Sequence, residues 1–279
     1  MRLLSLKTVL AAADFDPSSR PALESALALA ESSGAAFHIA HVSDAADATA
    51  AIEAALERLD IPRNRAVIHH LTGDAARAIG ALADNLGADA LVLGPHRQRA
   101  DSANTNWLGG TALALVTIAA VPCLVTRRAL TLPLNHVVVA IDSSDAARGA
   151  LTVGLSWASA LRTATSAGTA PTKITAVNVR CSAAPRPEAL VAEIERMRDD
   201  AGSWAGVSIE AVWASGDDPA AEIAGYAIAN DVDLVVLGTR GSGMNRAGPL
   251  GSVSAAVMQR VDAPVLLVPP AIWTSLAPS

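Results

Sequence analysis

Four residues towards the end of the chain have the types and spacing of an anion cradle. Gly238 and Gly241 are separated by two residues, Gly241 and Gly251 by nine, and Ser252 follows directly. They come after Asp233-Leu234-Val235-Val236-Leu237, an apolar run long enough for a buried parallel strand. Gly238 and Gly241 are expected to let the backbone leave the strand tip in conformations closed to residues with a Cβ, and to let a ligand approach the main chain. Gly251-Ser252 opens the next helical run, where free N–H groups and the positive end of the helix dipole favour an anion. Open α/β sheets bind ligands at loops of this kind, beyond the carboxyl ends of their strands. Arg240 and Arg246 lie in the same loop, where a guanidinium can balance phosphate charge or be plainly solvated. The competing reading of the glycines and the serine is service as turn and N-cap residues alone.

The elements that must hold this loop come from an internal repeat. Val9-Leu10-Ala11-Ala12-Ala13-Asp14 matches Val137-Val138-Val139-Ala140-Ile141-Asp142, and a Ser-Ser pair follows each. His38 to Val42 matches Thr175 to Val179, and Thr72-Gly73-Asp74 matches Ser215-Gly216-Asp217. Ala88 to Gly94 matches Val232 to Gly238, and Val121 to Val125 matches Ala263 to Leu267. Matches in the same order mean a tandem duplication, with domains at 1–130 and 135–279 and a seam over Ala129 to Asn135. A length of 279 residues suits two domains. Each half is large enough to bury about two-thirds of its unfolded surface without staples. Within the first half, helices are expected from Ser18-Ser19-Arg20-Pro21 to Gly34, over Asp47 to Leu59, over Asp74 to Leu86 and over Gly110 to Ala119. Strands alternating with helices predict a doubly wound α/β fold in each half, with helices on both faces of a five-stranded parallel sheet.

The pattern Gly238-xx-Gly241-x9-Gly251-Ser252, with Val253-Ser254, a helix and a closing Pro-Val-Leu-Leu-Val run, resembles the nucleotide-binding signature of the universal stress protein family. The resemblance covers both halves and implies strand order 3-2-1-4-5. It also implies that the last strand of each half pairs across a pseudo-twofold, which would make the chain an internal dimer, open to further pairing as a homodimer. ATP or AMP, with magnesium, is the ligand it implies. Gly238, Gly241, Gly251 and Ser252 match the family's phosphate and ribose positions, and the Val253 amide can contribute likewise. Ala140 and Asp142, at the tip of the first strand of the second half, fall in the implied nucleotide pocket, and Val179 matches the position whose backbone meets the base. Each has a plainer reading: a small core residue for Ala140, a helix N-cap for Asp142, and an ordinary strand residue for Val179.

The first half departs from the pattern. Gly94 is kept, but Arg97 stands where the second glycine belongs, the spacer to Gly109 is longer by two, and Gly110 replaces the serine. A degenerate or empty site is expected there, although Asp14 and Val42 are intact. The first half also holds His38, His41, His69, His70 and His96. Strands two and three are neighbours in the implied order, so His41 and His69 or His70 could approach each other. No pair has a zinc-motif spacing, and separate strand-end histidines are the expectation.

A net charge of −6 and a pI near 5.5 leave no global electrostatic case for nucleic acid or an anionic membrane. Cys123 and Cys181 cannot form a disulfide framework and read as buried small hydrophobes. Met1 to Ala13 imitates a signal peptide, but Lys7 interrupts it and the repeat makes its end a core strand. Ser102 to Thr126 is uncharged but carries Asn104, Asn106, Gly109, Gly110 and Pro122, so helix, proline and short strand fit better than a membrane span. A soluble cytoplasmic protein is expected. No general base or nucleophile can be named, so a nucleotide-dependent stress regulator, at most a weak ATPase, is the leading expectation. A ligand-free scaffold acting through protein partners is the alternative. A nucleotidyl transferase is a third, but the Ser-Gly-Gly or His-x-x-His signature it requires after the first strand is missing.

Overall fold

The structure, a computed structural model, describes residues 5–44, 48–58, 60–94, 108–162, 170–180, 188–199, 204, 206–241 and 250–272. His96, Arg97, Cys181 and Arg246, weighed above, lie outside the described residues. Contacts divide the chain into an N-terminal unit, Leu6 to Leu130, and a C-terminal unit that begins at Thr131.

The N-terminal unit runs β1 (Thr8–Ala12), α1 (Arg20–Ser33), β2 (Ala36–Val42), α2 (Ala48–Arg58), β3 (Val67–Leu71), α3 (Ala75–Leu86), β4 (Ala90–Leu93), α4 (Gly110–Ile118) and β5 (Cys123–Val125). Its sheet is parallel, in the order β3-β2-β1-β4-β5. The C-terminal unit runs β6 (His136–Ala140), α5 (Asp145–Ala160), β7 (Thr172–Arg180), α6 (Glu188–Asp199), β8 (Val207–Ser215), α7 (Pro219–Ala229), β9 (Leu234–Gly238), α8 (Ser252–Arg260) and β10 (Val265–Val268). Its order, β8-β7-β6-β9-β10, is the same 3-2-1-4-5 arrangement.

Local chemistry explains the helix limits. Helix α1 starts with Pro21 in its first turn and stops at Gly34, whose φ of 72° is a left-handed C-cap. Asp74 caps α3 by accepting from the Arg77 amide at 2.9 Å, and Gly87 ends it at φ 58°. Among the described residues of the stretch that imitates a membrane span, a helix runs over Gly110–Ile118, with a strand over Cys123–Val125 after it. Among the described residues no helix is long and apolar enough to cross a membrane.

The central strands are apolar without alternation because helices cover both of their faces. Val137, Val138 and Val139 of β6 and Leu234 to Leu237 of β9 are all buried. In the C-terminal unit, α5 lies on the face presented by Val139 and Val236, close enough that a Cβ at Gly154 would sit 3.1 Å from the Val139 side chain. Strand side chains alternate, so Ala140, Val177 and Val179 belong with the opposite face, where Ile223 of α7 meets them. The cleft described next opens on that face, at the carboxyl edge.

Candidate functional site

A cleft of about 520 Å³ opens at the carboxyl ends of β6, β7 and β9. Its floor is Ala140, Ile141, Val177, Val179 and Leu237, and one side is Pro219 and Ile223 of α7. The other side is the start of α8: Gly251, Ser252, Val253 and Ser254, with Leu250 before them. Asp142, Arg240 and Gly241 complete the rim. All nine residues expected at a ligand site, Ala140, Asp142, Val179, Gly238, Arg240, Gly241, Gly251, Ser252 and Val253, therefore line one cavity.

The loop between Gly241 and Leu250 is closed at its neck by backbone bonds. The Gly251 amide donates to the Thr239 carbonyl at 2.8 Å, and the Thr239 amide donates to Val268 at 2.9 Å. Ser254 is buried, and its hydroxyl donates to the Gly238 carbonyl at 2.7 Å, tying the first turn of α8 to the tip of β9. Gly251 is the N-cap of α8 and has no side chain to cap it. The first amides of the helix, at Ser252 and Val253, therefore have no capping side chain where they border the cleft. An anion there gains about 0.3–1 kcal/mol, up to ~2 when partly buried.

The glycines serve for a different reason than their spacing suggests. None of Gly238, Gly241 and Gly251 has the left-handed φ that would exclude other residues; Gly251 sits at −59°. What they provide is room. A Cβ at Gly238 would lie 2.8 Å from the Ala146 Cβ and 3.0 Å from its carbonyl carbon, in the first turn of α5. Gly238 shares a strand face with Val236, the face that α5 covers, so this glycine lets helix and strand close together. At Gly241 a Cβ would meet the Asp142 Oδ2 at 2.9 Å, and at Gly251 the Thr239 carbonyl oxygen at 3.3 Å.

The N-cap of α5 is Ser144, which accepts from the Ala147 amide at 3.2 Å, so the N-cap reading of Asp142 does not hold. Asp142 acts one step earlier. Its Oδ1 accepts from the Ser144 amide at 2.9 Å and from the Ser144 hydroxyl, an Asx turn that orients the cap. Its Oδ2 faces Gly241. Pro219, Ile223 and Ser144 are not among the residues expected from sequence, and Ser254, which follows in the signature, carries no expected role there. The Asp218-Pro219 helix start was the available signal, since Asp218 caps α7 through the amides of Ala220 and Ala221.

The N-terminal unit has a counterpart cleft of about 460 Å³, lined by Asp14, Ser19, Val42, Ile79, Gly94 and the Gly109-Gly110-Thr111-Ala112 start of α4, among others. Asp14 accepts the Ser19 hydroxyl and, at 3.1 Å, the Asp16 amide. Gly94 is roomier than Gly238: a Cβ there would meet nothing nearer than 3.5 Å. By the register of α4 and α8, Gly110 stands for Ser252 and Ala112 for Ser254, so both hydroxyls are missing.

The histidines of β2 and β3 pair by strand face. His41 lies across from His70, with ring centroids 6.2 Å apart, and its Nδ1 is 2.9 Å from the Ala13 carbonyl oxygen. His38 approaches His69, with Nδ1 and Nε2 2.9 Å apart. Burial, then the neighbouring His69, pushes the His38 pKa below its ordinary value. Among the described residues no three His, Cys, Asp or Glu side chains come together as a ligand set. Cys123 is buried, and that burial pushes its thiol up to about 12.

Comparison with known proteins agrees with this architecture. The profile of the universal stress protein family matches residues 5–127 and again 133–269. A universal stress protein from Archaeoglobus fulgidus DSM 4304 is 19% identical, over 94% of this chain and 96% of its own, with a TM-score of 0.65. A putative universal stress protein from Pseudomonas aeruginosa UCBPP-PA14 is 18% identical, over 98% of this chain and 97% of its own, with a TM-score of 0.67. At these identities the likeness concerns the fold. A universal stress protein solved in complex with cAMP is 23% identical over 43% of this chain and 94% of its own, with a TM-score of 0.36. No curated protein matches the chain. With two family matches spanning nearly the whole sequence, on two units of the same parallel topology, the chain belongs to the universal stress protein family, in its tandem form.

Proposed function

We propose that the chain is a nucleotide-dependent stress regulator of the cytoplasm that holds ATP or AMP in the cleft of its C-terminal unit. The observation that carries this reading is the convergence of all nine expected residues on one cleft of about 520 Å³, at a helix start whose N-cap has no side chain. The phosphates would lie against the amides of Ser252 and Val253, with the Ser252 hydroxyl and the exposed Arg240 guanidinium beside them. The adenine would occupy the apolar side, between Val177, Val179 and Ile223. Asp142, a hydrogen-bond acceptor at the rim, suits the ribose hydroxyls. Magnesium would travel with the phosphates, which usually supply part of its coordination along with water. Among the described residues that line the cleft we identify no activated nucleophile or positioned general base, and we read the nucleotide as a signal rather than a substrate.

The test is isothermal titration of the full chain with ATP and magnesium, after denaturing extraction to detect co-purified nucleotide. A stoichiometry near one is expected, because the counterpart cleft lacks both hydroxyls. A value near two would show that the N-terminal unit binds as well. No heat and no extracted nucleotide would overturn the reading in favour of a ligand-free scaffold.

A further inference from the structure

We propose that His38 and His69 form a two-imidazole chelate for a divalent transition-metal ion, copper(II) before zinc. The inference concerns the N-terminal unit and does not rest on nucleotide binding. Ala40 pairs with His69 in the register of β2 and β3, so His38 and His69 share a strand face one step apart. The pairing sets their nitrogens 2.9 Å apart, and both residues are part-exposed, so an ion can reach them.

The separation discriminates between metals. Imidazole nitrogens bind at about 2.0–2.1 Å. Two such bonds spanning 2.9 Å enclose about 90°, the angle of adjacent ligands in the tetragonal geometry of copper(II) or nickel(II). A tetrahedral zinc site would need the nitrogens roughly 0.5 Å further apart. The general order of affinities also places copper(II) first. Because no third His, Cys, Asp or Glu joins the pair among the described residues, water would fill the remaining positions.

The proton count closes. In the free protein one of the two nitrogens carries the hydrogen of the His38–His69 bond and the other accepts it. On binding, that hydrogen moves to the other nitrogen of its own ring. Both lone pairs then face the ion, and no proton is lost above the imidazole range.

The experiment is calorimetric titration of the full chain with copper(II) chloride and, separately, zinc chloride, alongside His38→Gln and His69→Gln. His41→Gln and His70→Gln serve as controls. We expect copper to bind more tightly than zinc, each of the first two substitutions to weaken copper at least tenfold, and the controls to bind as the parent does. Unchanged copper affinity in both His38→Gln and His69→Gln would overturn the proposal, and so would zinc binding more tightly than copper. If either variant fails to fold by circular dichroism, the electron paramagnetic resonance spectrum of the copper-loaded parent decides. Hyperfine structure from two imidazole nitrogens supports the chelate, and any other count refutes it.

Discussion

Gly238→Ala tests whether this glycine is there for packing or for a ligand. The added Cβ would sit 2.8 Å from the Ala146 Cβ, 3.0 Å from the Ala146 carbonyl carbon and 3.2 Å from its oxygen. Two of these are helix backbone atoms and cannot rotate away, so the start of α5 has to move by roughly half an ångström. Overpacking of this kind costs about 1–3 kcal/mol, which for a unit of this size lowers Tm by roughly 3–10 °C. Two other alanines calibrate the result. Gly94→Ala, at the matching position of the N-terminal unit, meets nothing nearer than 3.5 Å and should melt with the parent. Gly241→Ala brings a Cβ that, among the described residues, meets the Asp142 carboxylate, with Oδ2 nearest at 2.9 Å, and a carboxylate can swing aside. It should therefore keep its Tm and lose nucleotide affinity, because Asp142 is pushed out of place at the rim. Differential scanning calorimetry and ATP titration on the same samples read both effects. If Gly238→Ala melts with Gly94→Ala, the packing account is wrong, and the glycine serves ligand approach alone.

Gly251→Val should abolish nucleotide binding in a protein that still folds, since the new side chain crowds the Thr239 carbonyl and the Arg240 Cα at the mouth of the cleft; titration and circular dichroism check it. Ser254→Ala removes a buried bond of 2.7 Å to the Gly238 carbonyl. It should cost about 0.5–1.5 kcal/mol in urea unfolding and weaken the nucleotide, whose helix start is no longer tied down. Cys123 should stay unmodified by thiol reagents at neutral pH while the protein is folded, because burial pushes its thiol up to about 12, and peptide mass spectrometry, which separates Cys123 from Cys181, would reveal an adduct on it. Acid should destabilise the protein through His38 and His136. Burial chiefly depresses both, with His69 adding to the first and Lys173 to the second. A histidine depressed in the fold binds protons first in the unfolded chain. Stability is therefore full above the unfolded value of about 6.5 and falls as pH drops through it towards the folded values. Urea midpoints across that range should flatten in His38→Gln with His136→Gln.

Much of the frame was legible because it rests on local pattern repeated twice. Apolar runs ending in Asp14 and Asp142, and glycines at 94 and 238, marked the same strands in both halves, and the strand order followed from the family resemblance. What was not legible depends on who packs against whom. Nothing in the spacing of Gly238 says that Ala146 lies within 3 Å of where its Cβ would be, because that contact belongs to a helix some ninety positions away. The glycine was therefore assigned a conformational role that its φ does not require. The histidines show the same limit. Adjacent second and third strands were foreseen, but a parallel register has to be known before His69 can be assigned to His38 rather than to His41. Ser144 and Asp142 lie close together in sequence, yet which of them caps α5 depends on where the first helical turn begins.

The two clefts separate what the backbone determines from what side chains determine. Both lie at the carboxyl ends of the first and fourth strands of a unit, beside the start of the last helix, and their volumes, about 520 and 460 Å³, are similar. The two units share their strand order and each has such a cavity, although the spacer before the last helix differs by two residues. The fittings then differ. The C-terminal cleft has a hydroxyl at the first position of its helix and a second, from Ser254, bracing that turn against β9. Gly110 and Ala112 provide neither. The two cavities are thus similar in volume while the hydroxyls of Ser252 and Ser254 have no counterpart at Gly110 and Ala112. On the nucleotide reading, the Ser252 hydroxyl and the turn braced by Ser254, rather than volume, should separate the two clefts in a binding assay.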